Sequence, residues 1–476
     1  MNQLFEQLFK HQPSADQVNL FTQLDRFLKS EAPNAVFVLR GYAGTGKTTS
    51  MSVLVKLLPK YNIKPILLAP TGRAAKVLGN YAKKPAFTIH KKIYRKKSAV
   101  ELGSGFSLSK NTHQDTLFIV DESSMIPGTV QDGQYFGSNS LLADLIKYVY
   151  ESNSNCKIIF LGDTAQLPPV GASESPALNP SYLQSHFGLK VFGAELKEVL
   201  RQEKKSGILE NATALRQQLL SDDVSKPTLH VKNFKDFFYI TGEKLVDGIN
   251  YAYDHFGMDE TLVICRSNKN ANLYNQQIRA RILFREEFIS SGDFLMVVKN
   301  NYHWLPETTD AAFIANGEIV KVIRIRNEQE MHGLRFADAS LQLVDFPDQP
   351  IITAKIILDT LDSDSPALSK DQQQHLYEQV SLDYADVKNK AERLAKIKTD
   401  PYYNALQVKF SYAVTCHKSQ GGQWKAVFVD QGYLTDELVN KEFIRWLYTA
   451  ITRASSQLFL VNFNKDFIAD LPKDNF

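Results

Sequence analysis

No apolar run in the 476 residues approaches the ~18 needed to cross a bilayer, so no spanning helix organises this chain. The opening, "MNQLFEQLFKHQPSADQ", has neither the basic head nor the apolar stretch of a secretory signal. Cysteine is scarce: Cys156, Cys265 and Cys416 form an odd set without metal-like spacing. That excludes a disulfide scaffold and a zinc module, and it reads as the reduced thiols of a cytoplasmic protein. Charge of one sign is also lacking, since 55 Lys and Arg face 52 Asp and Glu for a net +3, and the global balance announces no nucleic-acid partner. Low-complexity segments are missing, and nothing repeats beyond a shared strand-helix grammar.

What is present is ordinary globular composition, with 43% apolar and 22% charged residues. The length suggests about three domains at ~150 residues each. The first 200 residues alternate short apolar runs with helical patterns: "NAVFVL" before a glycine loop, "PILLAP" before "GRAAKVLGNYA", then "TLFIVDE" and "KIIFLGD". Repeated βα units predict an α/β fold with a parallel sheet covered on both faces. The pattern returns in "LVICRSN", "AVFVD" and "LFLVN" (residues 262–268, 426–430 and 458–462), which predicts a second such lobe. Between them, "DFLMVV", "GEIVKVIRI", "SLQLVDF" and "IITAKIIL" read as strands broken by Gly, Asn, Asp and Pro, with a polar helical stretch after them over 369–398. The expected division is a first lobe over 1–205, a second lobe from 206–285 and 401–476, and a small β-domain with a helical extension inserted at 286–400.

Three stretches carry chemistry. "LRGYAGTGKTTSMSVLVKLL" places Gly41, Ala43, Gly44, Thr45, Gly46, Lys47, Thr48 and Thr49 in a phosphate-binding loop between a strand and a helix. Its glycines turn backbone N–H groups toward phosphates at the positive end of the helix, Lys47 reaches the terminal phosphates and Thr48 ligates Mg²⁺. "TLFIVDESSM" ends an apolar strand in Asp121 and Glu122, one carboxylate for the metal's water shell and one to polarise an attacking water. "FLGDTAQLPPVG" puts Gln166 a short turn past the strand end at Asp163, where it could touch the γ-phosphate and report through Pro168-Pro169. ATP and Mg²⁺ are therefore the expected ligands. Residues 83–97 hold seven Lys or Arg and no acid, either a solvated face or a phosphate-binding patch.

Taken together, "GYAGTGKTT", "APTGRAA", "TIHKKIY", "IVDESSM", "GDTAQLPPVG", "EVLRQ", "VTCHKSQGGQW" and "LYTAITRA" resemble, in order, the motif set of superfamily 1 DNA helicases. The nearest likeness is to the RecD-like and phage Dda-like branch, whose members move 5′ to 3′. The resemblance implies two RecA-like lobes with an inserted small β-barrel. It implies that Gln17 reads adenine and that Arg201 and Arg453 reach the γ-phosphate across the cleft. Thr71, Thr88 and His90 would hold DNA on the first lobe, with Thr415, His417, Lys418 and Ser419 on the second. Gln420 and Gly421 would couple strand to nucleotide. A wedge is implied at about 91–115, with "ELGSGFSLSK" as its hairpin and Phe106 or Tyr94 as its aromatic. Single-stranded and forked duplex DNA are the implied partners, with single-strand-binding or repair proteins unidentified. Two other readings stay open. Nothing here reads a 2′-hydroxyl, so only the branch favours DNA over RNA remodelling. A catalytically silent nucleic-acid-binding subunit is the other, against which stand Lys47, Glu122, Gln166, Arg201 and Arg453.

Overall fold

The computed structural model describes residues 5, 7–9, 12–96, 106–129, 140–152, 155–198, 206–221, 225–301, 303–305 and 314–471. Eight strands come from the first part of the chain: β1 (Ala35–Gly41), β2 (Lys64–Ala69), β3 (Ala86–Thr88), β4 (Tyr94–Lys96), β5 (Phe106–Leu108), β6 (Thr116–Val120), β7 (Lys157–Gly162) and β8 (Lys190–Leu196). Six of them form one sheet in the order β3-β2-β6-β7-β1-β8, every pairing parallel. The central strands are apolar throughout; β6, "TLFIV", is buried at all five positions, as a strand covered on both faces must be.

A second all-parallel sheet, β16-β10-β17-β18-β9, is built from β9 (Phe237–Ile240), β10 (Thr261–Cys265), β16 (Ala413–Thr415), β17 (Trp424–Asp430) and β18 (Ala454–Val461). Between β10 and β16 the chain leaves to make a closed barrel of β11 (Phe294–Val297), β12 (Ile319–Met331), β13 (Leu334–Leu343), β14 (Ile352–Ile357) and β15 (Leu406–Phe410). Two parallel-sheet lobes and an inserted barrel are thus the architecture.

One boundary is corrected. β15 closes the barrel, although the strand pattern assigns everything after 400 to the second lobe. Two helices, Lys370–Asp383 and Lys390–Thr399, separate β14 from β15, so "LQVKF" reads as the opening of that lobe. Its charged member is buried and satisfied, because Lys409 Nζ donates to the carbonyls of Thr360 and Ser363.

Both chain crossings between barrel and second lobe meet at Asp293, which is fully buried. Its carboxylate takes Arg279 at 3.1 Å, Arg285 at 2.7 Å and the Tyr412 hydroxyl at 2.8 Å. Entry and exit segments therefore share one buried anion. On the other side, barrel residue Asp345 faces Arg73 at 3.6 Å and Lys76 at 3.4 Å on the first lobe.

The wedge expectation is corrected at Tyr94. β4 and β5 form an antiparallel ribbon with Tyr94 opposite Leu108, in which the described part of "ELGSGFSLSK" supplies the returning strand. Tyr94 is 4% exposed and donates its hydroxyl to Asp144 at 2.8 Å, which makes it core and not a tip. Residues 97–105 lie outside the described residues, and Phe106 opens β5.

Candidate active site and strand-contact surface

β1, β6 and β7 are neighbours in a parallel sheet, so their carboxyl ends deliver the phosphate loop, Asp121-Glu122 and Asp163 to one edge. Gly44 and Gly46 both take the left-handed region, at φ 77° and 83°, and Gly46 caps the helix Lys47–Leu57. Only glycine adopts that conformation cheaply, and it frees the loop's amides to face a ligand. Thr45 is buried and donates to Tyr42 O at 2.8 Å, tying the loop shut, while Thr48 and Thr49 follow Lys47 in the helix's first turn. Lys47 folds back, giving its ammonium to the carbonyls of Gly41 at 2.6 Å and Tyr42 at 2.9 Å.

Burial, and then the neighbouring Glu122 carboxylate, holds the Asp121 carboxyl above its ordinary value, with Lys47 opposing. One Asp121 oxygen accepts the Glu122 N–H at 2.8 Å, and Glu122 itself sits at φ 51°. A non-glycine residue in that region is uncommon and concentrates at functional sites. Gln166 is 6% exposed, and its Oε1 is buried without a hydrogen-bond donor among the described residues. An acid pair whose Asp121 is desolvated, at the sheet edge that also carries a hydroxyl-bearing helix start, suits a cation shared with a phosphate ligand. Among the described residues no cluster of three His, Cys, Asp or Glu could cage a metal unaided.

Other expected nucleotide residues are placed differently. Gln17 is 2% exposed, but its Oε1 accepts the Ser14 N–H at 3.0 Å in a helix capping box. Reading adenine with both ends of that carboxamide requires the box to open. Arg201 lies outside the described residues. The nearby Lys197 and Glu198 amides are fixed by Asp16 at 2.8 and 3.0 Å. Arg453 is 3% exposed and spends its guanidinium inside the second lobe, on Thr449 O, Gly422 O and Thr452 Oγ1. In this conformation those bonds engage all three of its guanidinium nitrogens within the second lobe.

What crosses the cleft is the helix Lys441–Ile451. Arg445, Tyr448 and Thr449 stand at i, i+3 and i+4, on one face. Arg445 donates to Ser173 O at 2.6 Å, Thr449 Oγ1 accepts the Leu167 N–H at 2.9 Å, and Gln420 Nε2 donates to Leu167 O at 2.7 Å. Tyr448 donates to Asp163 at 2.6 Å and accepts the Ala43 N–H at 3.1 Å. Arg216 lies 4.5 Å from the Tyr42 ring centroid. Sequence reasoning missed Tyr448 although it lies inside "LYTAITRA". Arg216 carried no signal beyond being an arginine on a helix.

The strand-contact residues cluster on the outer strands. Ala69 pairs with Thr88 in the first sheet and Cys265 with Thr415 in the second, so Thr71, Thr88 and Thr415 sit at carboxyl ends. Thr71 Oγ1 accepts Ala74 N–H and Thr88 Oγ1 accepts Lys91 N–H, both at 3.2 Å, capping helices. A hydroxyl that accepts from an amide keeps its own hydrogen for a phosphate oxygen. Burial lowers the His90 pKa to about 4 and lowers that of His417, which keeps both rings neutral at pH 7. Burial, then the charge of Lys409, lowers Lys418 to about 8. Ser419 is fully buried and gives its hydroxyl to Cys416 O at 2.8 Å, so it faces inward and not toward a strand.

Sequence comparisons agree with this geometry. The AAA domain family matches residues 14–226, and the UvrD-like helicase C-terminal domain matches residues 410–461. An uncharacterized protein of Acanthamoeba polyphaga mimivirus is 25% identical over 89% of this chain and 94% of its own length. The ATP-dependent DNA helicase dda of Enterobacteria phage T4 is 23% identical over 94% of this chain and 98% of its own. The ATP-dependent RecD2 DNA helicase of Deinococcus radiodurans is 30% identical over 42% of this chain, which spans 24% of that longer protein. With the ordered motifs on two parallel-sheet lobes and a barrel, the chain is similar over both lobes to superfamily 1 helicases of the RecD-like, Dda-like branch.

Proposed function

We propose that this protein is an ATP-dependent DNA helicase that moves 5′ to 3′ on single-stranded DNA and opens forked duplexes. The observation that carries the reading is the joint edge: phosphate loop, acid pair and Gln166 lie on one lobe, with the second lobe docked on Asp163 and Leu167. Thr48 and Asp121 would hold Mg²⁺, which supplies positive charge beside the phosphates. Glu122 polarises the attacking water, and Lys47 exchanges two carbonyls for phosphate oxygens. Arg201 and Arg453 approach on closure, Arg453 after giving up its bonds to Gly422 and Thr449. Gln17 serves the base, and Gln166 with Gly421 relays the state of the site.

Thr71, Thr88 and His90 grip the strand on one lobe, and Thr415, His417 and Lys418 on the other, alternating as the cleft opens and closes. Small hydroxyls and neutral rings suit a backbone that is alike at every base. The ribbon of β4 and β5 would then part the duplex. The protein is read as cytoplasmic; among the described residues no helix is long and apolar enough to cross a membrane.

ATP turnover with matched DNA and RNA oligomers tests the reading. Stimulation by DNA that is lost in Lys47→Ala and in Glu122→Gln, with strand binding retained, supports it. Equal stimulation by RNA moves the protein to RNA remodelling, and wild-type turnover in either variant removes the catalytic assignment.

A further inference from the structure

The second lobe holds the phosphate loop itself, at Tyr42 and Ala43. Tyr448 is 1% exposed, and its hydroxyl bridges Ala43 N–H at 3.1 Å and Asp163 Oδ2 at 2.6 Å. Both oxygens of Asp163 are engaged, since Oδ1 accepts Ala165 N–H at 2.9 Å. The residue before Ala43 is gripped too: the Arg216 guanidinium lies 4.5 Å from the Tyr42 ring, whose hydroxyl reaches Glu195 at 3.4 Å. Arg216 Nε is buried without an acceptor among the described residues. Lys47 donates to the carbonyls of Gly41 and Tyr42, immediately beside this grip.

We infer that Tyr448, supported by Arg216, is the positioning residue through which nucleotide binding at the phosphate loop is communicated to the second lobe. The inference rests on the nucleotide reading above. When Lys47 leaves the Gly41 and Tyr42 carbonyls for a ligand, the peptide planes on either side of Tyr42 lose their tether. Ala43 N–H and the Tyr42 ring are where that change is felt outside the first lobe. Tyr448 lies one turn from Arg445 and next to Thr449, which are bonded to Ser173 and Leu167, so a shift at Ala43 reaches the segment 163–173 through one rigid helix. The hydroxyl fits the place because its single oxygen accepts from the loop amide and donates to the carboxylate at once.

The test is linkage. Affinity for a fluorescent oligothymidylate of about 16 nucleotides, within the span such grooves cover, is measured without nucleotide and with the non-hydrolysable analogue AMP-PNP. The ratio of the two is the coupling factor. Tyr448→Phe keeps the ring and removes only the bridge. It is expected to retain wild-type strand affinity without nucleotide and to bring the coupling factor about 3- to 10-fold nearer to one, the worth of the one bond of the two that reaches the phosphate loop, that to Ala43. Arg216→Lys keeps the charge, loses the flat stack, and should move the factor the same way by less. If both folded variants couple as wild type does, the inference is overturned while the helicase reading stands. If wild type itself shows no effect of AMP-PNP on strand affinity, the nucleotide reading falls and the inference falls with it.

Discussion

Gly421 of the second lobe faces Thr71 of the first so closely that a Cβ on the glycine would lie 3.1 Å from the threonine Oγ1. Ala74 Cβ would be 3.0 Å away, and the glycine's φ is +75°. A methyl group there costs ~1–2 kcal/mol of left-handed backbone and also pushes the two strand-gripping edges apart. Gly421→Ala should lower DNA-stimulated ATP turnover at least tenfold. Gly188→Ala, at φ +61° with nothing within 4 Å, carries the backbone cost alone and serves as the control. Equal turnover in the two variants would show that the close approach has no part in the cycle.

Lys418 gives a pH signature. Burial and Lys409 bring its pKa to about 8, so the ammonium is charged at pH 7 and lost as pH rises through that value. A strand phosphate favours the charged form, so DNA affinity should fall between pH 7 and 9. Lys418→Arg stays charged throughout and should flatten the curve. Parallel pH profiles for the two proteins would remove Lys418 from the strand contact.

The basic run of 83–97 leads from Thr88 into the ribbon. Lys91 and Lys92 lie 5.5 and 5.6 Å from the Phe87 ring centroid, partly buried, and Arg95 is exposed. Each phosphate neutralised on a single strand adds about −0.7 to the slope of log affinity against log salt. Replacing Lys91, Lys92, Arg95, Lys96 and Lys97 by Gln should weaken fork binding and flatten that slope. Turnover at saturating DNA should change far less. An unchanged slope would return the run to a solvated face.

Much of the fold was legible because the buried parallel strands are short apolar runs that end in chemistry, as β1 does at the phosphate loop and β6 at Asp121. β15 was not legible, since its barrel partner β14 lies across two intervening helices. Tyr94 was misread as a possible tip because aromatic content does not say which face of a ribbon is buried; its bond to Asp144 does. Ser419 shares a motif with Lys418 but points inward, a difference that a single residue step of about 100° around the helix creates. Tyr448 was hidden because its partners, Ala43 and Asp163, are 405 and 285 positions away along the chain.

Unwinding of two tailed duplexes, alike except for a 5′ or a 3′ single-stranded overhang, tests the central claim most directly. With ATP and Mg²⁺ present, the protein should separate the 5′-tailed duplex and leave the 3′-tailed one largely intact, and Glu122→Gln should open neither. Preference for the 3′ tail would contradict the assigned direction, and failure on both tails despite DNA-stimulated ATP turnover would contradict strand separation itself.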